Sequence, residues 1–250
     1  YVKRVKEEIE SGAHYLDSMD TAVCKRSYEV ALLAVGGSLN MCDAIISGEA
    51  IRGFCAARPP GHHAEYDYAA GFCIFNNLAI AAKYLQVEHG INKIAIVDWD
   101  VHHGNGTQHT FERDRNVLYI STHQYPHFPG TGARSERGKG EGEGYTLNFP
   151  MPAGSGDPEY MDVFENHIVP ALMKFEPEIV LISAGFDAHN ADPLSYIGLS
   201  TEAYYKFTVL IKQAANEYSG GRMIAFLEGG YDLEALANSV DMMMRAFIED

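Results

Sequence analysis

The sequence has no CxxC pair, and it has far fewer basic than acidic residues. Its four cysteines, Cys24, Cys42, Cys55 and Cys73, therefore indicate neither a zinc finger nor a disulfide framework. They are expected to be small buried apolar residues in a reducing compartment. Lys and Arg number 19 against 34 for Asp and Glu, so the formal net charge is −15. This acidity argues against direct nucleic-acid binding and fits a cationic partner, although acidity also simply keeps globular proteins soluble.

Signatures of several other protein classes are also absent. The sequence contains no GxSxG nucleophile motif, and its GKGEGEG segment at 138–144 resembles a phosphate loop only superficially, because Glu141 and Glu143 would repel phosphate. Apolar runs fall short of the roughly 20 residues that cross a bilayer, and the start of the chain alternates Lys and Glu without a signal-peptide pattern. We therefore expect no membrane association and an intracellular, cytoplasmic location. Because position 1 is not Met, the chain is expected to be cut from a longer protein.

The chain alternates short apolar, β-rich runs with longer helical patterns. With 46% hydrophobic and 21% charged residues, it predicts one globular domain over 1–250. Runs such as IAIV and IVLI are typical of strands buried on both faces, so they predict a parallel sheet sandwiched by helices, an α/β fold. The predicted strands are 53–57, 93–100, 116–122, 145–150, 178–187 and 222–230, and the predicted helices are 26–47, 76–89, 158–175, 200–218 and 233–248.

Polar residues gather where four of these strands end. The segments that follow them are RPPGHHAE, DWDVHHGNG, AGFDAHNADP and EGGYD. In an open parallel sheet, ligands bind beyond the carboxyl ends of the strands. Unpaired buried charge is costly, so a core would be the wrong place for these groups. The strand ends are therefore the predicted functional site, and the irregular stretch 123–144 is a predicted functional loop.

A metal site is predicted at two of the strand ends. Asp98, Asp100 and His102 alternate along the chain, so Asp100 and His102 can face one ion, with Asp187 as a candidate third ligand. Two carboxylates and one imidazole leave an open position, as in catalytic zinc sites, although ferrous iron or cobalt also fits. Alternatively, Asp98 and Asp100 cap the next helix, which would be the better interpretation of an isolated DxD. The neighbouring His102 and His103 favour the metal.

Two adjacent histidines are candidates for proton transfer. His62 and His63 follow the rigid Pro-Pro-Gly turn at 59–61, although a single histidine is more often a hydrogen-bonded core residue. Asp98 is expected to hydrogen-bond one imidazole and Asn105 to orient the other, and spacing alone does not say which is which. The two histidines would then differ in pKa, as an acid and a base require.

Tyr231 is distinguished from the other tyrosines because it follows a strand end and two glycines. Most tyrosines are packing residues, but one on such a turn is placed to donate to a carbonyl oxygen and stabilise an oxyanion. Metal ligands, a histidine base and an oxyanion donor together predict metal-assisted hydrolysis of a neutral carbonyl compound.

The sequence resembles the zinc-dependent histone deacetylase and acetylpolyamine amidohydrolase superfamily, closest to its class II-like members. The resemblance runs from about Asp20 to Val240 and rests on RPPGHHAE, GFCIFNN, DWDVHHGNGT, FPGTG, AGFDAHNADP and EGGY in one order. It implies the arginase/deacetylase fold, a three-layer α/β/α sandwich. It also implies hydrolysis of the acyl amide of acetyl-lysine in a protein or peptide, or of an acetylated amine, with the oligomeric state left open.

The resemblance also implies roles for the strand-end residues. Asp100, His102 and Asp187 would bind Zn²⁺, and His62 and His63 would be the proton-transfer pair, with His63 the principal general base. Tyr231 would polarise the carbonyl. Asn105 stands where many class I members carry Asp, so His63 is expected to be less strongly buttressed. Potassium is implied as a structural second ion, held by oxygens around Asp98, Asp100, His102 and Ser121.

A narrow substrate channel follows from the same resemblance. The carbonyl of Gly71 would accept the substrate amide proton, and the rings of Phe72 and Phe128 would enclose the alkyl stem; without the resemblance both would be core. Polyamine-specific members carry an acidic gatekeeper near the position of Leu194, so a leucine there weakly favours acyl-lysine. Asp20 is a candidate rim acid for the substrate backbone.

Three alternatives remain beside acetyl-lysine hydrolysis. One is an amidohydrolase for acetylated polyamines or other small amides. Another is a non-catalytic acyl-lysine reader, whose sign would be loss of a ligand, base or tyrosine. AGFDAHNADP is also similar to arginase, a two-metal ureohydrolase, but DWDVHHGNG offers too few bridging carboxylates. Members of the superfamily usually have a strand and loop before the position of Tyr1, so the chain is expected to lack this N-terminal segment.

Overall fold

The computed structural model describes residues 1–249, in which six strands form one parallel sheet of order β1-β6-β5-β2-β3-β4. Every neighbouring pair is parallel, which confirms the predicted sheet. The order places β2 and β5 side by side, and the chain leaves them in opposite directions across the sheet. The strands are β1 (Arg52–Cys55), β2 (Ile94–Asp98), β3 (Val117–Gln124), β4 (Thr146–Met151), β5 (Ile179–Ala184) and β6 (Met223–Leu227).

Helices cover both faces of the sheet. They are α1 (Val2–Glu10), α2 (Ser27–Ser47), α3 (Asn77–Glu88), α4 (Asn105–Phe111), α5 (Asp157–Val163), α6 (Val169–Phe175), α7 (Thr201–Tyr218) and α8 (Leu233–Ile248). Because strand side chains alternate between faces, Ile94 and Ile96 pack with α2 and α3, whereas Ala95 and Val97 pack with α5 to α8. The three-layer α/β/α prediction is confirmed.

The helices differ from the predictions in three places. The predicted helix 158–175 is divided into α5 and α6 by the π-helical turn Phe164–Ile168. Helix α1 was not predicted, although Val5 and Ile9 lie one turn apart on its buried side and its exposed side carries charge pairs four residues apart, such as Lys3 with Glu7. Helix α4 was missed because it is short and contains glycine.

Two expectations need correction, one about the burial of the cysteines and one about segments that could span a membrane. Cys24 is exposed, because it lies in the turn before α2, where the Ser27 hydroxyl donates to its sulfur at 3.6 Å. Helix α2 is long and apolar enough to span a membrane by length and composition, contrary to the expectation from apolar runs. Core helices of globular proteins meet the same criterion, and α2 buries Ala34, Cys42 and Ile45, so this is weak evidence for a span.

Candidate active site

The predicted metal ligands converge where β2 and β5 end side by side. One potential ligand atom each from Asp100, His102 and Asp187 lies within 4.8 Å of the other two, and all three residues are buried. His102 Nδ1 lies 3.2 Å from Asp100 Oδ1 and 3.0 Å from Asp187 Oδ2. This is the point at which the strand order reverses, and ligands of open α/β sheets bind there. The chain thus brings two carboxylates and an imidazole around one position.

Charge and shape at this position fit a divalent cation. Burial and the neighbouring Asp100 carboxylate raise the pKa of Asp187 to about 7, so two carboxylates here favour a cation between them. Backbone N–H groups hold the other oxygens, with Val101 donating to Asp187 and Gly229 to Asp100, each at 2.8 Å. A Cβ on Gly229 would collide with Asp187, which explains the glycine after β6. The donor set and the close approach of its atoms suit zinc.

His103, which favoured the metal at the sequence level, does not lie in this cluster. Its Nδ1 is 2.7 Å from the Thr131 hydroxyl and its Nε2 is 2.9 Å from Gln108 Oε1. Because side chains alternate beyond the strand end, His103 points away from the face shared by Asp100 and His102.

The structure resolves which residue pairs with which of the two adjacent histidines. His62 Nδ1 lies 3.1 Å from Asp98 Oδ2, and His63 Nδ1 lies 2.8 Å from Asn105 Oδ1. The two imidazole rings are 4.0 Å apart between centroids, and both are buried. One histidine therefore has an anionic partner and the other a neutral one.

This difference sets the two imidazoles to opposite protonation states. Burial acts to lower the pKa of His62, but the carboxylates of Asp100, Asp98 and Glu228 outweigh it and raise that pKa well above its usual range. Burial and the charge of His62 hold the pKa of His63 well below its usual range. His63 is accordingly the neutral imidazole, the form that can accept a proton.

A cavity of about 170 Å³ opens onto these groups. A larger groove of about 780 Å³, lined by α1 and α3, lies away from them, so size alone does not locate the chemistry. Phe72, Phe128 and Leu194 are each exposed by 43–44%, which places them at the mouth of the smaller cavity instead of in the core. Its lining residues are Asp20, Pro60, His62, His63, Gly71, Phe72, His102, Phe128, Leu194, Gly229 and Tyr231.

The turn at Gly71 and Phe72 shapes one side of the cavity. Both residues have positive φ, at 56° and 67°, and a Cβ on Gly71 would collide with the His63 ring, so glycine is required there. Asp20 Oδ1 accepts the Gly71 N–H at 3.2 Å and the Thr21 hydroxyl at 3.0 Å. Asp20 thus supports this turn in addition to lining the cavity.

Tyr231 and Leu194 are held by a single carboxylate. Asp192 Oδ2 accepts the Tyr231 N–H at 2.7 Å, and its Oδ1 accepts the Leu194 N–H at 2.9 Å. Burial and the carboxylates of Asp100 and Asp187 raise the pKa of Tyr231 far above its usual range. The phenol therefore stays protonated and can act only as a hydrogen-bond donor or acceptor.

Three acidic residues within the quoted motifs were not assigned by sequence reasoning. Besides Asp192, these are Glu228, which accepts the N–H groups of Gly61 at 2.6 Å and His62 at 3.1 Å, and Glu65, which accepts from Asn105 at 2.5 Å. The available signal for Glu228 was a charge placed directly after an apolar strand. The positions of Asp192 and Glu65 gave no comparable signal.

A parallel α/β sheet with this Asp-His-Asp cluster and paired histidines at its switch point is an arginase/deacetylase-like fold. The chain belongs to the histone deacetylase domain family, whose sequence model matches residues 1–247. The predicted family and fold are therefore confirmed.

The relatives include plant, archaeal and human proteins. The chain is 44% identical to "Histone deacetylase 14, chloroplastic" of Arabidopsis thaliana, covering 98% of this chain and 60% of that protein. It is 43% identical to a "Probable deacetylase" of Archaeoglobus fulgidus, covering 94% and 64%, and 41% identical to human "Polyamine deacetylase HDAC10", covering 90% and 34%. The chain thus spans less than two thirds of the length of these relatives.

A solved structure shows the same architecture. The crystal structure of the HDA15 HD domain matches with a TM-score of 0.92 at 38% identity, covering 100% of this chain and 72% of that one.

Proposed function

We propose that this chain catalyses zinc-dependent hydrolysis of the acyl amide of acetyl-lysine in proteins or peptides. The observation that carries the proposal is a cavity of about 170 Å³ whose lining includes His62, His63 and His102, with Tyr231 in its wall. Membership of the histone deacetylase domain family supports it. The retained ligands, bases and tyrosine argue against a non-catalytic reader.

The proposed mechanism assigns a separate task to each group. Zinc held by Asp100, His102 and Asp187 would supply a Lewis acid that polarises the amide carbonyl and makes water more acidic. His63 accepts the proton of the attacking water and later passes a proton to the leaving amine. Tyr231 donates its O–H to the carbonyl oxygen as negative charge develops.

His62 and Asp98 are proposed to provide a fixed ion pair behind His63. Their contact of 3.1 Å is buried, so it is little screened by solvent. The cationic ring 4.0 Å from His63 keeps the latter neutral before the reaction. Asn105 orients His63 through Nδ1 without adding charge.

The rim residues are proposed to select the substrate. Phe72 and Phe128 would enclose the lysine stem, since the Phe72 ring lies 6.1 Å from Tyr231 and the Phe128 ring 5.1 Å from His63. The Gly71 carbonyl would accept the substrate amide N–H, and Asp20 would contact the substrate backbone. We also propose a structural potassium ion beside Asp98 and Ser121, whose backbones pair across β2 and β3 in a fully buried region.

Acetylated polyamines are the alternative substrates, because one relative is named a polyamine deacetylase. We expect kcat/KM for an acetyl-lysine peptide to exceed that for acetylspermidine, and chelation of zinc to abolish both. The comparison uses the purified chain with matched substrate concentrations and added zinc as the recovery control. A preference for acetylspermidine would replace acetyl-lysine as the proposed substrate.

Leu194→Glu tests the gate at the mouth. A carboxylate there attracts a second ammonium group on the substrate, and an exposed ion pair worth up to about 1 kcal/mol corresponds to a gain of up to roughly fivefold for acetylspermidine relative to the peptide. Leu194→Gln is the neutral control, and raised salt should reduce the gain. An equal shift in both variants would show that charge is not the cause.

Two further proposals concern the number of domains in the chain and its location in the cell. We propose that 1–250 form a single deacetylase domain. The relatives from Arabidopsis thaliana and Oryza sativa are named chloroplastic, so we propose an intracellular location without the cytoplasmic assignment.

A further inference from the structure

Asn105, the partner of His63, is itself held by a carboxylate. Its Nδ2 donates to Glu65 Oε1 at 2.5 Å and to the backbone carbonyl of His63 at 3.3 Å. Its Oδ1 faces His63 Nδ1 at 2.8 Å. Both groups on the nitrogen side of the amide can only accept hydrogen bonds. The orientation of the Asn105 amide is therefore fixed by its surroundings.

This orientation determines which nitrogen of His63 carries hydrogen. An amide oxygen can only accept, so Nδ1 of His63 must be the N–H donor. In the neutral ring the other nitrogen, Nε2, then holds the lone pair. His63 lines the cavity together with the candidate ligand His102, so this tautomer leaves a proton-accepting nitrogen for the reaction.

Helix α4 explains why Glu65 is in place. Asn105 and His109 lie four residues apart on α4 and so share one face, and His109 Nδ1 contacts the same Glu65 oxygen at 2.8 Å. Burial acts to raise the pKa of Glu65, but the hydrogen bonds from His109 and Asn105 outweigh it and lower that pKa. Glu65 is therefore an ionised acceptor near neutral pH.

We propose that Glu65 is a positioning residue that fixes the base-competent tautomer of His63 through Asn105, which deepens the proposed function and rests on it. We call Glu65, Asn105 and His63 the relay. In the relay the carboxylate acts on the imidazole through the amide of Asn105, whereas an aspartate at position 105 would contact the imidazole directly. The relay also accounts for asparagine at 105. An aspartate there would place a second carboxylate against Glu65, where the Asn105 Nδ2 now lies 2.5 Å from Glu65 Oε1. Two carboxylates in such close contact cannot both remain ionised.

Nitrogen NMR of the histidine rings tests the proposal without any substrate. We expect the wild-type zinc-loaded protein to show His63 with hydrogen on Nδ1, assigned by comparison with His63→Gln. Glu65→Ala should produce a mixture of tautomers or exchange broadening at His63, whereas Glu65→Gln, which keeps an oxygen toward Asn105, should retain the wild-type pattern. Hydrogen on Nε2 in the wild type would overturn the proposal even if the protein had no activity.

Kinetics provide the second readout. Loss of a residue that orients a site through another typically costs about 10–100-fold, so Glu65→Ala should lower kcat by that factor while KM changes little. Glu65→Gln should recover most of the loss. Glu112→Gln is the matched control, because Glu112 follows the same helix and pairs with Lys139 at 2.9 Å, and its kcat should be unchanged.

A double-mutant cycle isolates the contact between positions 65 and 105. Asn105→Asp alone should lower kcat, and adding Glu65→Gln should restore it at least about tenfold, because the carboxylate repulsion is removed. Purely additive effects, or the same kcat for Glu65→Ala and wild type, would overturn the proposal. A wild-type protein that lacks activity but shows the expected tautomer would contradict the proposed function and leave the relay supported.

Discussion

The Asp187→Asn variant is expected to lose zinc and nearly all hydrolytic activity. Asp187 contributes one of the two carboxylates beside His102, and an amide in its place removes a full negative charge from the ligand set. Lewis-acid polarisation is worth several kcal/mol in such sites, so kcat/KM should fall by about a thousandfold or more. Metal analysis after dialysis, together with activity at increasing zinc, measures both losses.

The metal-free form of the same variant should be at least as stable as metal-free wild type. The raised pKa of Asp187, about 7 through burial and Asp100, means that its carboxylate is costly there at neutral pH. Because that pKa lies above the ordinary carboxyl value, the stability of the metal-free wild type falls as pH rises from the ordinary value towards about 7 and is level above it, and Asn removes this loss. Thermal unfolding with chelator, compared at pH 6 and pH 8, measures it.

Asp241→Asn is the matched control, because Asp241 is an exposed acid paired with Arg245 on α8. It should keep one zinc per chain and full activity. Retention of zinc and of kcat by Asp187→Asn would remove Asp187 from the ligand set, and two transition ions in wild type would favour the ureohydrolase interpretation.

The convergence of the three candidate metal ligands could be predicted from the sequence because it depends on strand ends. Runs such as IAIV and IVLI marked β2 and β5, and parallel strands place their carboxyl ends at one edge. The side chains of Asp100, His102 and Asp187 meet at that edge only if β2 and β5 are neighbouring strands. That adjacency is a tertiary fact, and the structure supplies it.

The contacts between loops could not be predicted in the same way. Spacing alone left open whether Asp98 or Asn105 pairs with His62, because Asp98 ends β2, Asn105 begins the next helix and either reaches an adjacent ring. Only the family resemblance implied that Asn105 is the partner of His63. Glu228 and Asp192 bond backbone N–H groups of distant loops, at Gly61 and Tyr231 respectively. Hydrogen bonds between segments 39 and 167 residues apart leave no periodic pattern in the chain.

These loop contacts share one physical feature, which is a carboxylate that accepts backbone N–H groups from a neighbouring loop. Asp100 holds Gly229, Asp187 holds Val101, and Glu228 holds Gly61 and His62. Each loop is thereby fixed by its neighbour before substrate arrives. Such preorganisation is what allows fixed donors to stabilise charge without reorganising during the reaction.

Tyr231→Phe is expected to keep the fold and zinc but to lower kcat by about 10²–10³-fold, the usual cost of one oxyanion donor. Only the phenolic oxygen is removed, so packing against Phe72 is kept and KM should change little. Because burial keeps the pKa of Tyr231 far above its usual range, the phenol remains a donor throughout the working pH range. The loss should therefore be the same at pH 7 and pH 9.

Steady-state kinetics with an acetyl-lysine peptide and metal analysis measure these effects together. Tyr66→Phe is the matched control, because the Tyr66 side chain is 93% exposed and lies outside the cavity, so its kcat should equal that of wild type. If Tyr231→Phe turned over substrate at the wild-type rate, the oxyanion would have to be stabilised by the remaining groups of the cavity. A loss confined to KM would instead assign Tyr231 to substrate binding, because an interaction made equally in ground and transition states changes KM and leaves kcat unaltered.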